Sequence, residues 1–169
     1  MPQSQKQTEK ERFLENWERE AAVTMKVLRN YPGAKADLKP SERSKDAKDL
    51  AWTFVFEGFG ASQAAEGEFK FPPPDMPAKP GTWDGVVQEC ERGFRFLADK
   101  VRKADDAFLN TTVKAATGPK QRSDVRRLDF LWQILMDQIH HRGQFTVYLR
   151  MAGGKVPSIY GPSADEPWN

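Results

Sequence analysis

The longest helical pattern in the chain, Leu128–Gly154, reads LDFLWQILMDQIHHRGQFTVYLRMAGG and holds both histidines of the protein. Whatever fold forms has to accommodate it. On a helix turning about 100° per residue, Phe130, Ile134, Asp137, His141, Gln144 and Tyr148 fall on a single strip. A carboxylate and an imidazole thus stand one turn apart among apolar side chains. Burying such groups without partners costs roughly 2–7 kcal/mol, so Asp137 and His141 must pair with each other, bind something or face a wet pocket. His140 points about 100° away from His141 and is expected at the surface or in a dimer contact.

Three further amphipathic helices precede this one. From about Thr8 to Asn30, Phe13, Trp17, Ala21, Met25 and Leu28 recur at three- and four-residue steps, and Tyr31-Pro32-Gly33 stops the pattern. Ser44 or Asp46 is placed to cap a second helix through DAKDLAWTFVFEGFG, on which Leu50, Thr53, Glu57 and Gly60 share a face. A proline-dense connector over 66–81 follows, either a rigid lid or a spacer, and cannot be regular structure. Gly81-Thr82 then caps a third helix from Trp83 to about Lys103. Residues 105–124 read as a polar loop with one short extended piece, LNTTV, and Ser123 or Asp124 as the start of the fourth helix. Gly153-Gly154 closes that helix, and the proline-containing segment 153–169 drapes over the bundle. No strand pattern competes with these helices, so the expected fold class is all-α, a four-helix bundle.

Composition narrows the partners. A chain of 169 residues fits one domain, 1–169, with a core of helices two layers thick. Its 26 Lys+Arg and 24 Asp+Glu give a net charge of +2 and are interspersed, which argues against nucleic acid and against a membrane surface. The N-terminus has no apolar run of the signal type, and no segment approaches about 18 consecutive apolar residues, so a cytoplasmic protein is expected. Cys90, the one cysteine, cannot form an internal disulfide and reads as a core residue.

The runs LAWTFVFE on the second helix and DQIHHRGQFTVYLRMAGGKVPSIYGPSADE at the C-terminus resemble the DinB/YfiT-like family of metal-binding four-helix proteins. The likeness is most specific over Ile139–Pro162. It implies an up-down-down-up helix arrangement, frequent homodimers, and a pocket metal held by one histidine of the second helix and an H-x-x-x-H pair of the fourth. It also implies a small-molecule or thiol substrate, with hydrolases and thiol transferases among the relatives. Carried over by position, the second-helix histidine falls on Thr53 and the pair falls on Asp137 and His141, so one of the three ligands is unchanged. Asp137 remains able to ligate zinc, nickel or manganese, whereas Thr53 is a poor ligand. Glu57, one turn further along the same face, offers a replacement, giving a divalent-metal set of His141, Asp137 and Glu57.

Other readings stand beside this one. Asp137 and His141 can satisfy each other as an i,i+4 pair, with no metal bound. Glu57 can pair with Arg142, Arg43 or another cation. Gln144 can point into the pocket, and Tyr148 can donate to a ligand or to a backbone carbonyl. Two functions follow from these alternatives. One is a metal-dependent enzyme of the hydrolase or thiol-transferase class, and the other a metal-free protein that binds a small ligand or acts as a dimer.

Overall fold

The computed structural model describes residues 7–168. Helices α1 (Glu9–Arg29), α2 (Ala47–Ser62), α3 (Trp83–Lys103) and α5 (Arg127–Met151) form the bundle, and a single short turn, α4 (Asp106–Leu109), follows α3. Thr8, Asp46 and Thr82 cap α1, α2 and α3, each accepting a hydrogen bond from a backbone amide three residues on, as their positions before the apolar repeats require. In α1 the cap is reciprocal, because the Glu11 side chain accepts from the Thr8 amide. At the far end of the chain α5 stops at Met151, and Gly153 takes a φ of +83° that a side chain would strain.

Side-chain contacts fix the helix directions. Glu9 meets Arg126, Phe13 meets Trp132, and Glu20 meets Arg142, so α1 and α5 run parallel. Ala51 meets Cys90, Phe54 meets Phe94, and Glu66 meets Lys100, so α2 and α3 also run parallel. Between the pairs the sense reverses: Lys10 meets the end of α3 while Tyr31 meets its start, and Glu57 meets His141 while Lys45 meets Tyr148. The order is therefore up-down-down-up. Parallel neighbours cannot be joined by a tight turn, and this accounts for the long connector between α2 and α3. Where those two helices cross they touch backbone to backbone. A Cβ on Gly58 would lie 2.5 Å from the Gly93 carbonyl carbon, so only glycine permits the approach.

The core is aromatic and shared by all four helices. Phe13, Trp17, Phe54, Phe59 and Phe145 are fully buried, and the Trp17 indole donates to the Phe94 carbonyl at 2.9 Å. Cys90 is buried among them and donates to the Ala51 carbonyl, and burial pushes its thiol far above the usual range. It behaves as a small core residue, as expected from the sequence.

Two expectations are corrected. Residues 112–126 are an antiparallel hairpin, β1 (Thr112–Gly118) with β2 (Gln121–Arg126), in register Thr112↔Arg126, not a loop with one extended piece. Consequently α5 begins at Arg127, and Ser123 and Asp124 lie in β2 instead of capping it. The alternation that marks a strand is short: Val113 and Ala115 are buried, and no residue of β2 is. What holds the hairpin is Arg127. Its guanidinium is buried and donates to the Ala64 and Gly67 carbonyls and to Thr111 Oγ1, tying the start of α5 to the end of α2.

Candidate metal centre

The buried face of α5 is Leu128, Leu131, Leu135, Gln138, Arg142, Phe145 and Leu149. The strip carrying Asp137 and His141 is its neighbour, half in and half out of the core. Asp137 is exposed and His141 intermediate. Apolar periodicity locates this border imperfectly, because two of the core positions, Gln138 and Arg142, are polar and blur the pattern.

From α2, Glu57 is carried inward to the same place, with only 3% of its surface exposed. Its Oε1 lies 2.8 Å from His141 Nδ1, and Asp137 Oδ2 lies 3.8 Å from the same nitrogen. One donor atom from each of Glu57, Asp137 and His141 lies within 4.8 Å of the other two. The structure thus brings together the three residues proposed from the sequence. It also answers the competing pairings: Glu57 meets His141 rather than Arg142 or Arg43, and Asp137 is the more distant of the two acids. Thr53 lines the same pocket as Glu57 and Asp137, and its hydroxyl accepts from Lys45 Nζ at 3.1 Å.

Electrostatics distinguish this group from an ordinary ion pair. Burial pushes the Glu57 carboxyl up to about 7, and the hydrogen bond from His141 only partly offsets that rise. Hydrogen bonding to Glu57 raises His141 above its ordinary value, against the effect of its own burial. Both groups therefore hold their protons to higher pH than they would in water, Glu57 through burial and His141 through Glu57. Glu57 Oε2 is buried and has no hydrogen-bond partner. An orphaned buried carboxylate oxygen, a second carboxylate and an imidazole make a donor set that fits a divalent ion. Two oxygen donors give it a harder character than three imidazoles.

The group borders two hollows. One, of about 260 Å³, is lined by Thr53, Glu57 and Asp137 together with aromatic residues of α2, α5 and the connector. The other, of about 400 Å³, takes His141 with Lys45, Leu50 and Tyr148. A larger depression between α1 and α3, about 490 Å³, touches none of the three residues. The connector is thus part of the site wall, through Phe69, Phe71 and Pro73, and the hairpin contributes Ala115, Ala116 and Arg122. Sequence reading assigned none of the hairpin residues to the site, since nothing local in LNTTVKAATGPKQRSD ties them to a helix so far away in the chain.

Among the described residues, buried Gln138 leaves both polar atoms of its amide without a partner, whereas four other polar residues of α5 have partners of their own. His140 is exposed and its Nε2 meets the Gln144 amide at 2.9 Å, while Gln144 also lines the hollow that takes His141. The Tyr148 hydroxyl donates to the Lys45 carbonyl at 2.9 Å, the backbone arrangement rather than a ligand contact. Arg142, turned about 100° from His141, faces α1. It pairs with Glu20 at 2.8 Å, and the Tyr160 hydroxyl donates to the same carboxylate, pinning the C-terminal segment to the bundle.

Comparison with known proteins places this geometry. The chain is 27% identical over 164 residues to the uncharacterized protein YrdA of Bacillus subtilis, covering 91% of this chain and 89% of that one. A DinB-like protein of Bacillus cereus superposes with a TM-score of 0.70 at 23% identity, over 88% of this chain and 95% of its own. YfiT of Bacillus subtilis, described as a probable metal-dependent hydrolase with an unusual four-helix bundle topology, gives a TM-score of 0.67 at 10% identity, over 92% and 94%. The model of the DinB family matches residues 1–168, and with its up-down-down-up bundle and candidate metal triad the chain belongs to that family.

Proposed function

We propose that this chain is a metal-dependent enzyme of the hydrolase or thiol-transferase class, with a divalent ion between α2 and α5 held by Glu57, Asp137 and His141. The observation that carries the proposal is the orphaned Glu57 Oε2, buried within a three-residue donor cluster at a pocket wall. The description of YfiT as metal-dependent supports the same class. Three protein ligands leave coordination positions open, and a divalent ion there would lower the pKa of a bound water or thiol toward neutrality. The protein's own part is proton handling and positioning. Glu57 and His141 share protons near neutral pH, so any oxygen or nitrogen of the pair left free can accept a proton released beside it. Asp137, at the open edge, sets the approach from the 260 Å³ pocket.

The test is elemental analysis of protein expressed with zinc, nickel and manganese supplied, together with melting temperature. About one ion per chain and a metal-dependent rise in Tm are expected. Absence of both would remove the metal from the function.

A second reading, a metal-free ligand-binding protein, is favoured by the Glu57–His141 hydrogen bond, which already satisfies one oxygen, and by the Lys45 ammonium on Thr53. Replacing Thr53→His and Asp137→His together separates the two. An open pocket then gains tight metal binding, whereas a packed strip gains none.

A further inference from the structure

The 260 Å³ pocket beside the triad has a chemical polarity that the triad does not explain. Its walls are apolar, with Phe69 packed against Phe130 at a centroid distance of 4.8 Å and Phe56 tilted against Phe71 at 6.4 Å. Four charged residues line it: Glu57 and Asp137 on the helices, Lys70 on the connector and Arg122 on β2. The backbones that carry the two cations are held in place. The Gln63 side chain, buried, accepts from the Lys70 amide at 2.7 Å and donates to its carbonyl at 3.2 Å, and Arg122 is fixed opposite Ala116 by the hairpin register. Their charges are not used. Among the described residues neither the Lys70 ammonium nor the Arg122 guanidinium makes an ion pair or a side-chain hydrogen bond, whereas the nearby Arg126 and Arg127 are both fully engaged.

Charge balance then sets the polarity of a guest. With a divalent ion on Glu57 and Asp137, the two carboxylates are neutralised and Lys70 and Arg122 remain as the uncompensated charges of the pocket wall. Without the ion, the carboxylates repel an anion from their own end. In the metal-free protein an anionic group is therefore favoured at the connector–hairpin end, where the two uncompensated cations stand, whereas a bound ion with open positions would compete for the same group at the triad end. A volume of about 260 Å³ lies just below the usual range for drug-sized ligands, so the guest is small.

We propose that this pocket takes a small organic anion with an apolar, ring-sized body, its anionic group on Arg122 and Lys70 and its body between Phe69, Phe130 and Phe56. The neutral end of the molecule is thereby turned toward Glu57 and Asp137. This assignment rests on the triad being the reactive end of the pocket, and it names the substrate class that such an end would receive.

The test uses three probes on metal-free and zinc-supplemented protein, read by titration calorimetry: naphthoate, which has both features, naphthalenemethanol, which lacks the charge, and acetate, which lacks the rings. Naphthoate is expected to bind the metal-free protein about tenfold more tightly than naphthalenemethanol, from one charge-assisted contact, and acetate to show no binding. Arg122→Gln, at an exposed strand position, should erase that tenfold gap while leaving naphthalenemethanol unchanged, and Ala116→Trp should block both ring compounds. Equal affinity for naphthoate and naphthalenemethanol in the parent protein would overturn the proposal. So would a naphthoate affinity that Arg122→Gln leaves intact, or naphthoate binding only when zinc is present, which would place the carboxylate on the ion. Zinc content measured on the same samples keeps the two readings apart. Zinc uptake without anion selectivity overturns this inference alone, and anion selectivity without zinc uptake overturns the metal centre alone.

Discussion

Two buried carboxylates, Glu20 of α1 and Glu57 of α2, meet consecutive residues of α5, Arg142 and His141. Their exposures are nearly equal, 2% and 3%, yet their acidities move in opposite directions. Burial pushes Glu20 up, but hydrogen bonds from Tyr160 and Arg142 and the guanidinium charge more than offset this, and the carboxyl ends below its ordinary value. Glu57 has one imidazole partner and an unpaired oxygen, and it ends at about 7. Glu57 lies deeper among protein atoms than Glu20, so the heavier desolvation and the smaller number of donors act in the same direction there. The Glu20 side is complete within the chain. The Glu57 side is short of a donor or a cation, as expected of a site that takes something from outside.

The comparison breaks most visibly on the Glu20 side. Arg142→Met strands a buried carboxylate, and a loss of about 3–5 kcal/mol is expected, roughly a 10 °C fall in Tm. The double variant Glu20→Leu/Arg142→Met should recover at least half of that. A single variant as stable as the parent would show that the ion pair contributes nothing.

On the Glu57 side the order reverses. Glu57→Gln is expected to change the stability of the metal-free protein by less than about 1 kcal/mol, while abolishing the metal-induced rise in Tm. Strong destabilisation with metal uptake intact would exchange the roles of the two carboxylates.

Acidity sharpens the contrast. Folded Glu57 keeps its proton to about pH 7, and the unfolded chain releases it near the model-peptide value of about 4.3. The folded state binds more protons across that window, so stability from this group falls as pH rises through it. His141 is raised as well, so its contribution is present below about 6.5 and fades as pH climbs through its folded value. Glu20, lowered, behaves oppositely: its contribution is present at neutral pH and is lost in acid. In chelator, Tm measured from about pH 5 to 8 should decline, and Glu57→Gln should flatten the decline. The zinc-induced rise in Tm should grow over the same interval, because the ion displaces those protons. A metal effect independent of pH would count against ligation by this pair.

The smallest effect belongs to His140, adjacent in sequence to His141 but bonded only to Gln144 at the surface. His140→Ala should alter stability by no more than about 0.5 kcal/mol and leave metal uptake unchanged. Loss of metal on that substitution would mean that the other histidine had been misassigned.

Much of this arrangement was legible in the sequence. The apolar repeat starting near Thr8, the cap candidates Ser44 or Asp46 and Thr82, and the terminal glycines are local signals, and the structure takes Asp46 and Thr82 as caps. The set Glu57, Asp137 and His141 was also readable, because i,i+4 spacing is a property of one helix and the resemblance pointed to the partner helix. The hairpin was not. Val113 and Ala115 are its only buried strand positions, and Arg127 at its end reaches carbonyls just beyond the end of α2, 63 residues away in the chain for Ala64.

What the sequence determined by itself is the set of helices and which side chains each presents, since helix period and capping act over a few residues. Tertiary structure alone decided which buried acid is satisfied and which is left short. Glu20 and Glu57 look alike in sequence, but the donors that distinguish them, Tyr160, Arg142 and His141, arrive from segments far along the chain, and hydrogen bonds reach only about 3 Å.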